Sequence, residues 1–308
     1  MIKFSICIPA YKSKYLKECI DSILVQTIPD FELIILNDCS PEPVKEIIAA
    51  VDDQRIRYFE NEKNVGPVNL VDNWNKCLNY AIGEFVIIMG DDDILAPHYL
   101  EEFLSLISTF PDLEVYHCRS LIIDDFGNEV MLTPSLPRFE HVYDSIWHRL
   151  HQLRSNYISD YVYRTETLRS RGGFFKLPLA WGSDDITAFI ASAEKGIAHS
   201  NEPVFHYRSN RLSITSTGRD QDKMEADLGY ADWLKTFLKN NPPKKSDEVV
   251  YTHLSRNLEH YIRLRKIYTM MVSMRSNRFS KLMMWIKGRE KFSLSLGTIF
   301  VAFLKSFR

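Results

Sequence analysis

The chain has 308 residues, 45% hydrophobic and 25% charged, an ordinary globular composition that excludes the disordered and collagen-like classes. Its net charge of -2 speaks against a dedicated nucleic-acid binder, and with no run of 18 apolar residues no membrane-spanning helix is predicted. The total hides an imbalance: residues 261–308 hold eleven Lys and Arg against Glu290 alone, a net of +10 that leaves -12 on residues 1–260.

The predicted elements alternate. Residues 4–8 read as a strand, and Leu16, Cys19, Ile20, Ile23 and Leu24 then repeat at helical spacing before a second strand at 31–36. Val44, Ile47, Ile48 and Val51 mark a helix, 55–59 a third strand, 68–81 a further helix and 85–89 a fourth strand. Such alternation predicts an α/β fold whose mostly parallel sheet is covered by helices on both faces. The apolar part of MIKFSICIPAYK is too short for a signal peptide and reads as the first strand. Five cysteines without CxxC spacing suit a reducing cytoplasm and no zinc site.

In open sheets of this kind ligands bind at the carboxyl ends of the strands, so the residues that follow them carry the functional signal. The first strand ends in Pro9-Ala10-Tyr11, the second in Asn37-Asp38-Cys39-Ser40 and the fourth in Asp91-Asp92-Asp93. Three adjacent carboxylates repel one another at neutral pH. A divalent cation, Mg²⁺ or Mn²⁺, held by their hard oxygens and itself holding a diphosphate, makes the crowding tolerable. An Asp-rich turn with a helix cap is the plainer alternative. A ring at Tyr11 to stack and a carboxylate at Asp38 to accept hydrogen bonds from a base or ribose would, with the acid cluster, together make a nucleoside-diphosphate site. Taken singly, Tyr11 reads as an ordinary helix-start residue and Asp38 with Ser40 as a turn or helix cap. Neither GxxxxGK[ST] nor GxGxxG follows the first strand, which disfavours P-loop enzymes and dinucleotide oxidoreductases.

The segments SICIPAYKSKYLKECIDSILVQTIPDFELIILNDCSPE and NEKNVGPVNLVDNWNKCLNYAIGEFVIIMGDDDILAPHYL, and more weakly LAWGSDDITAFIASAEKGI, resemble the family 2 glycosyltransferases, inverting enzymes of the Rossmann-like GT-A nucleotide-sugar fold. The resemblance implies that Pro9, Ala10 and Tyr11 lie against the base and that Asp38 hydrogen-bonds the nucleoside. It implies that Asp91 to Asp93 form the metal-binding motif, Asp92 facing the ribose or sugar, Asp93 the metal and Asp91 assisting either. Asn64 falls in the nucleotide-binding set and Asn75 among the donor contacts. Three positions depart from the family pattern: Gly90 stands where an acid is usual, Trp74 precedes Asn75 where Arg is frequent, and Asn37 stands where aspartate is frequent.

Inverting transfer is one displacement at the anomeric carbon, and the attacking hydroxyl needs its proton removed, work a positioned carboxylate does for a factor of about 10²–10⁴. Asp184 and Asp185 precede an amphipathic helix with Ile186, Phe189 and Ile190 as its apolar positions, so one can cap while the other faces substrate. The resemblance makes Asp185 the base and Asp184 its neighbour; simple capping in the helix dipole is the alternative. Trp181 is expected to line the acceptor site. In VFHYRSNRLSITS, His206 is a candidate metal ligand, Arg208 and Arg211 are candidate phosphate contacts, and 213–218 reads as a flexible loop over the donor.

Beyond residue 220 the pattern predicts helices separated by Pro242-Pro243, then short apolar stretches carrying Trp285, Phe292, Phe300, Phe303 and Phe307 between cations. A GT-A domain at 1–218 followed by a basic amphipathic helical region at 219–308 is therefore expected. That region suits an anionic membrane surface, or packing on the catalytic domain or a second copy in a homodimer. The combined expectation is a cytoplasmic, membrane-peripheral enzyme moving sugar from a nucleotide sugar, UDP foremost, to a hydroxyl of a glycan or lipid-linked acceptor in surface polysaccharide synthesis. A sugar nucleotidyltransferase would need a basic glycine-rich loop where only Lys12 and Lys14 stand. A non-catalytic scaffold would leave the coincidence of Pro9, Asp38 and Asp185 unexplained.

Overall fold

The computed structural model describes residues 2–210 and 213–307. In chain order the first half comprises β1 (Phe4–Ala10), α1 (Leu16–Leu24), β2 (Phe31–Asn37), α2 (Val44–Ala49), β3 (Ile56–Glu60), α3 (Leu70–Tyr80), β4 (Phe85–Ile88), β5 (Ile94–Leu95), α4 (Tyr99–Thr109), β6 (Val115–Ile123), β7 (Glu129–Leu132), β8 (Phe139–Glu140) and α5 (Val142–Leu150). There follow β9 (Tyr161–Arg164), α6 (Thr165–Ser170), α7 (Ser183–Ser192), β10 (Ile197–Arg208), α8 (Ile214–Thr217), α9 (Asp220–Asn240), α10 (Glu248–Ser276), α11 (Arg278–Lys287) and α12 (Leu296–Lys305).

One sheet runs in the order β3-β2-β1-β4-β9-β6-β10-β5, with β7 on β6 and β8 on β10. Its first four strands are parallel, as alternation with helices demands, because parallel neighbours need a crossover. β1 and β2 lie inside this half and are buried on both faces, which is why FSICIPA and FELIILN read as continuous apolar runs. Glu32, the charge within that run, is satisfied by Ser5 and Arg57. The second half is mixed: β9 is antiparallel to β4 and β6, while β6 and β10 are parallel. Helices α1 and α4 close one face around Ile6, Ile8, Leu33 and Ile87, and α3 and α7 close the other around Cys7, Ile34, Val86 and Ile88.

Residues 219–307 are mostly helical, but the change at 218 is one of secondary structure and not of packing. Tyr230, Leu234 and Phe237 of α9 and Tyr261 of α10 share one core with Ile146 of α5 and Ile186 and Phe189 of α7. The C-terminal helices are thereby brought against the acid pair that opens α7.

Candidate active site

The ends of β1, β2 and β4 converge as the order β2-β1-β4 requires. Asp91 pins two of these loops together: its Oδ2 accepts the backbone N–H groups of Tyr11 and Lys12, both at 2.8 Å. Burial and the neighbouring Asp92 push its pKa up to about 6, against the pull of those two amides. Pro9 and Ala10 complete β1 beneath, and the Tyr11 ring is 41% exposed at the rim, open to a stacking partner. Asp38 is buried, and its Oδ1 accepts from Asn61 Nδ2 at 2.8 Å and from the Val65 amide at 3.1 Å. Asn64 donates to the carbonyl of Asp38 at 3.0 Å, so it shapes this loop and its side chain is engaged there. Cys39, next to Asp38, adopts a left-handed φ of 50°, a strained conformation that costs a non-glycine residue about 1–3 kcal/mol.

Asp92 lies 3.9 Å from Lys12 Nζ and accepts from Asn210 Nδ2 at 2.7 Å. Asp93 is buried, accepts the Arg208 amide through Oδ1 at 2.8 Å, and has a pKa raised well above the carboxylate range by burial and by Asp92. A Cβ at position 90 would meet Asp93 Oδ2 at 2.6 Å, so the glycine that replaces the usual acid makes room for this carboxylate. The oxygens of Asp92 and Asp93 are hard donors suited to Mg²⁺ or Mn²⁺, ions commonly held by one or two carboxylates together with substrate phosphates. The described residues contain no group of three or more His, Cys, Asp or Glu side chains arranged to hold a metal alone. Beside Asn210, an open cavity of about 390 Å³ is lined by Asp124, Asp125, Phe126, Ser209 and Ser216.

Several expected contacts are corrected. Arg208 is buried and fully engaged: Nε donates to the Asp92 carbonyl, Nη1 to the Asp124 carbonyl, Nη2 to Glu18, and the guanidinium covers the Tyr15 ring. It braces the acidic loop and is not held out toward a phosphate. His206 forms no hydrogen bond or ion pair with Asp91, Asp92 or Asp93; burial lowers its pKa, and the charged groups acting on it are Glu129 and His98. Asn75 spends both ends of its amide on the backbone of Phe174, donating to the carbonyl and accepting from the N–H, so it anchors a turn. Residues 213–218 are not an open loop: Ser213 caps the single turn of α8, and Ser216 Oγ donates to the Asn210 carbonyl. Arg211 lies outside the described residues.

Asp184 and Asp185 open α7, and their environments differ. Asp185 has no exposed surface; Arg149 Nε donates to both its oxygens at 2.8 and 2.9 Å and Asn156 Nδ2 to Oδ1 at 3.0 Å. Asp185, expected as the base, is thus anchored within the protein, its Oδ1 accepting two hydrogen bonds and its Oδ2 one. Asp184 stays partly exposed, and burial together with the Asp185 charge raises its pKa to about 7. Gly182 precedes them at φ 90°, where a Cβ would meet Arg265 Nη2 at 2.7 Å and the Tyr230 ring at 2.9 Å. Leu179 and Ala180 just upstream also have left-handed backbone. Trp181 is half-buried under Lys223, whose Nζ lies 5.2 Å from the ring centre, and its indole bonds Asp227, itself paired with Arg265.

Arg149, Asn156, Asp227 and Arg265 escaped sequence reasoning because each is a lone polar residue within a helix or loop, without spacing to betray a distant partner. The segment between α5 and β9 joins the two halves of the site. Ser159 Oγ accepts the Gly90 amide, and the Tyr157 hydroxyl, its pKa raised by burial, feels both Arg149 and Asp93.

Compared with known proteins, residues 5–174 match the model described as glycosyl transferase family 2. Over 118 residues the chain is 35% identical to an uncharacterized glycosyltransferase of Methanocaldococcus jannaschii, covering 37% of this chain and 40% of that protein. It is 27% identical over 213 residues to the O-antigen biosynthesis protein RfbC of Myxococcus xanthus, covering 68% of this chain but 16% of the relative. Among solved structures, S. aureus TarS 1-349 in complex with UDP-GlcNAc superposes with a TM-score of 0.67 at 18% identity, covering 99% of this chain and 90% of that one. At that identity the likeness speaks for the GT-A fold.

Proposed function

The chain belongs to glycosyl transferase family 2, and from that premise we propose that it transfers a sugar from a nucleotide sugar, a UDP-sugar foremost, to a hydroxyl of a glycan or lipid-linked acceptor in surface polysaccharide synthesis, with inversion. The observation that carries this reading is the convergence of the exposed Tyr11 ring, the buried Asp38 carboxylate and the crowded Asp92 and Asp93 on one sheet edge. Tyr11 stacks on the base, Asp38 accepts from the nucleoside, and Asp92 and Asp93 hold a divalent cation. When bound, that cation supplies charge neutralisation to the departing diphosphate.

Within the acid pair we assign the base role to Asp184. A base poised near neutrality takes a hydroxyl proton while still ionised at working pH, and a pKa of about 7 with partial exposure meets that need. Asp185 fixes Arg149, and through Asn156 it orders the loop that leads to Ser159 and Asp160. Trp181 walls the acceptor side. Five free thiols and no disulfide accord with a cytoplasmic protein.

The test is a screen of UDP-, GDP- and CDP-sugars for slow hydrolysis with and without Mn²⁺. Metal-dependent release of UDP from a UDP-sugar is the expected result. Turnover of UTP or CTP with sugar phosphate to diphosphate would indicate a nucleotidyltransferase instead.

A further inference from the structure

Helices α11 and α12 are apolar on two opposite sides. Inward, Trp285 of α11 and Ile299 and Ala302 of α12 pack on Ile267, Met270 and Met274 of α10. Outward, Leu296, Phe300 and Leu304 follow one another at intervals of four along α12, with Phe307 three residues beyond, and all are more than half exposed. Phe279 and Met283 form the matching stripe on α11, also more than half exposed. The ring centroids of Phe279 and Phe303 lie 5.8 Å apart and those of Phe303 and Phe307 5.2 Å, so the two stripes make one surface. A contiguous exposed apolar surface of this kind marks an interaction site.

The charge around it selects the partner. Arg265, Lys281 and Lys291 are neutralised by Asp227, Asp220 and Glu225. Arg275, Lys287 and Lys305 are exposed, and Arg278 lies against the Phe307 ring at 4.7 Å. Self-association through this face would bring like charges together, whereas an anionic lipid surface meets both the rings and the cations. At ten residues α12 is about 15 Å long, half a bilayer's hydrocarbon thickness, and no described helix is long and apolar enough to cross a membrane. The face lies on a surface and does not span one.

We propose that the outer face of α11 and α12 docks the protein on an anionic lipid membrane. The same helices reach the transfer site: Lys281 holds Asp220 and Lys291 holds Glu225 at the start of α9, where Lys223 covers Trp181. Docking therefore presents the Trp181 side to an acceptor carried in the membrane, a consequence that rests on the transferase reading, whereas the docking itself does not.

The experiment is flotation of the full chain with phosphatidylcholine vesicles, with and without phosphatidylglycerol, alongside size-exclusion chromatography and donor hydrolysis in solution. Wild type is expected to float with the anionic vesicles alone and to release with salt. F300S/L304S/F307S is expected to bind at least ten-fold more weakly, and K287E/K305E several-fold more weakly, with solution hydrolysis unchanged in both. Failure of wild type to float would overturn the proposal. So would a wild-type dimer that the triple variant turns into a monomer without vesicle binding, which would make the face a contact between copies. Hydrolysis failing while flotation succeeds would sink the transferase reading and leave the docking intact.

Discussion

At the donor edge the carboxylates are crowded and under-compensated: Asp91, Asp92 and Asp93 face one lysine at 3.9 Å, a few amides and the Arg208 guanidinium, whose own hydrogen bonds go to backbone carbonyls and Glu18 and not to these carboxylates. At the acid pair the reverse holds, for Asp185 is enclosed by Arg149 and Asn156, and Asp227 nearby by Arg265 and Thr269. A buried carboxylate left without partners is costly, and its pKa rises to evade the charge. The first region therefore accommodates an added positive group, while the second already holds its cations and uses them to fix geometry.

The largest expected effects would break this contrast outright. Asp184→Asn should lower turnover about 10²–10⁴-fold with nucleotide affinity unchanged, whereas Asp93→Ala should abolish turnover and metal-dependent UDP binding together, as read by calorimetry. Equal loss of UDP affinity in both variants would refute the division of labour. Arg149→Met should lose about 3–5 kcal/mol of stability in urea denaturation, because Asp185 would be left as an uncompensated buried charge. The double variant Arg149→Met with Asp185→Leu should recover most of it. Full stability in the single variant would mean that the pair is not enclosed as described.

The contrast also explains what was legible beforehand. The donor edge is encoded locally: each loop follows an apolar strand run, so Pro9 to Tyr11, Asp38 and Asp91 to Asp93 could be placed on one edge from alternation alone. The acid pair was visible only as two aspartates at a helix start, since the partner that closes Asp185 lies 36 residues away in α5. Arg208 misled for a related reason. A guanidinium at the end of a strand reads as a phosphate ligand, and only the fold brings Glu18 and the carbonyls that consume it. In the second half of the sheet the run from Ile197 reads as a strand, but β5, β8 and β9 are too short for a period, and antiparallel additions leave no strand-helix alternation to give their order.

A smaller effect sharpens the assignment within the pair. With its pKa near 7, Asp184 is the active base only as the carboxylate, so kcat/KM should fall about tenfold per pH unit below 7 and level off above it. That slope should vanish in Asp184→Asn. Stability should run the other way: the folded state keeps a proton that the unfolded chain releases near pH 4, so this group's contribution, about 2 kcal/mol after solvent screening, declines as pH rises from 4 to 7. Glu140 has the opposite sign. His199 and Arg154 outweigh its burial and hold its pKa at about 2, so its contribution is complete above the ordinary carboxylate range and lost on acidification toward 2.

The smallest effect tests whether the glycine in the acidic loop is structural. In Gly90→Ala the new methyl would stand 2.6 Å from Asp93 Oδ2 and 3.2 Å from Asp92 Oδ1, contacts that force carboxylate ends aside and leave the backbone in place. Because those ends can swing, the stability loss should stay near 1 kcal/mol. The swing moves the very oxygens assigned to the cation, so Mn²⁺-dependent UDP affinity should drop several-fold while metal-independent nucleotide binding through Tyr11 and Asp38 persists. An equal fall in both affinities would mean that the loop as a whole had shifted, and the separation of cation and nucleoside contacts along the edge would fail.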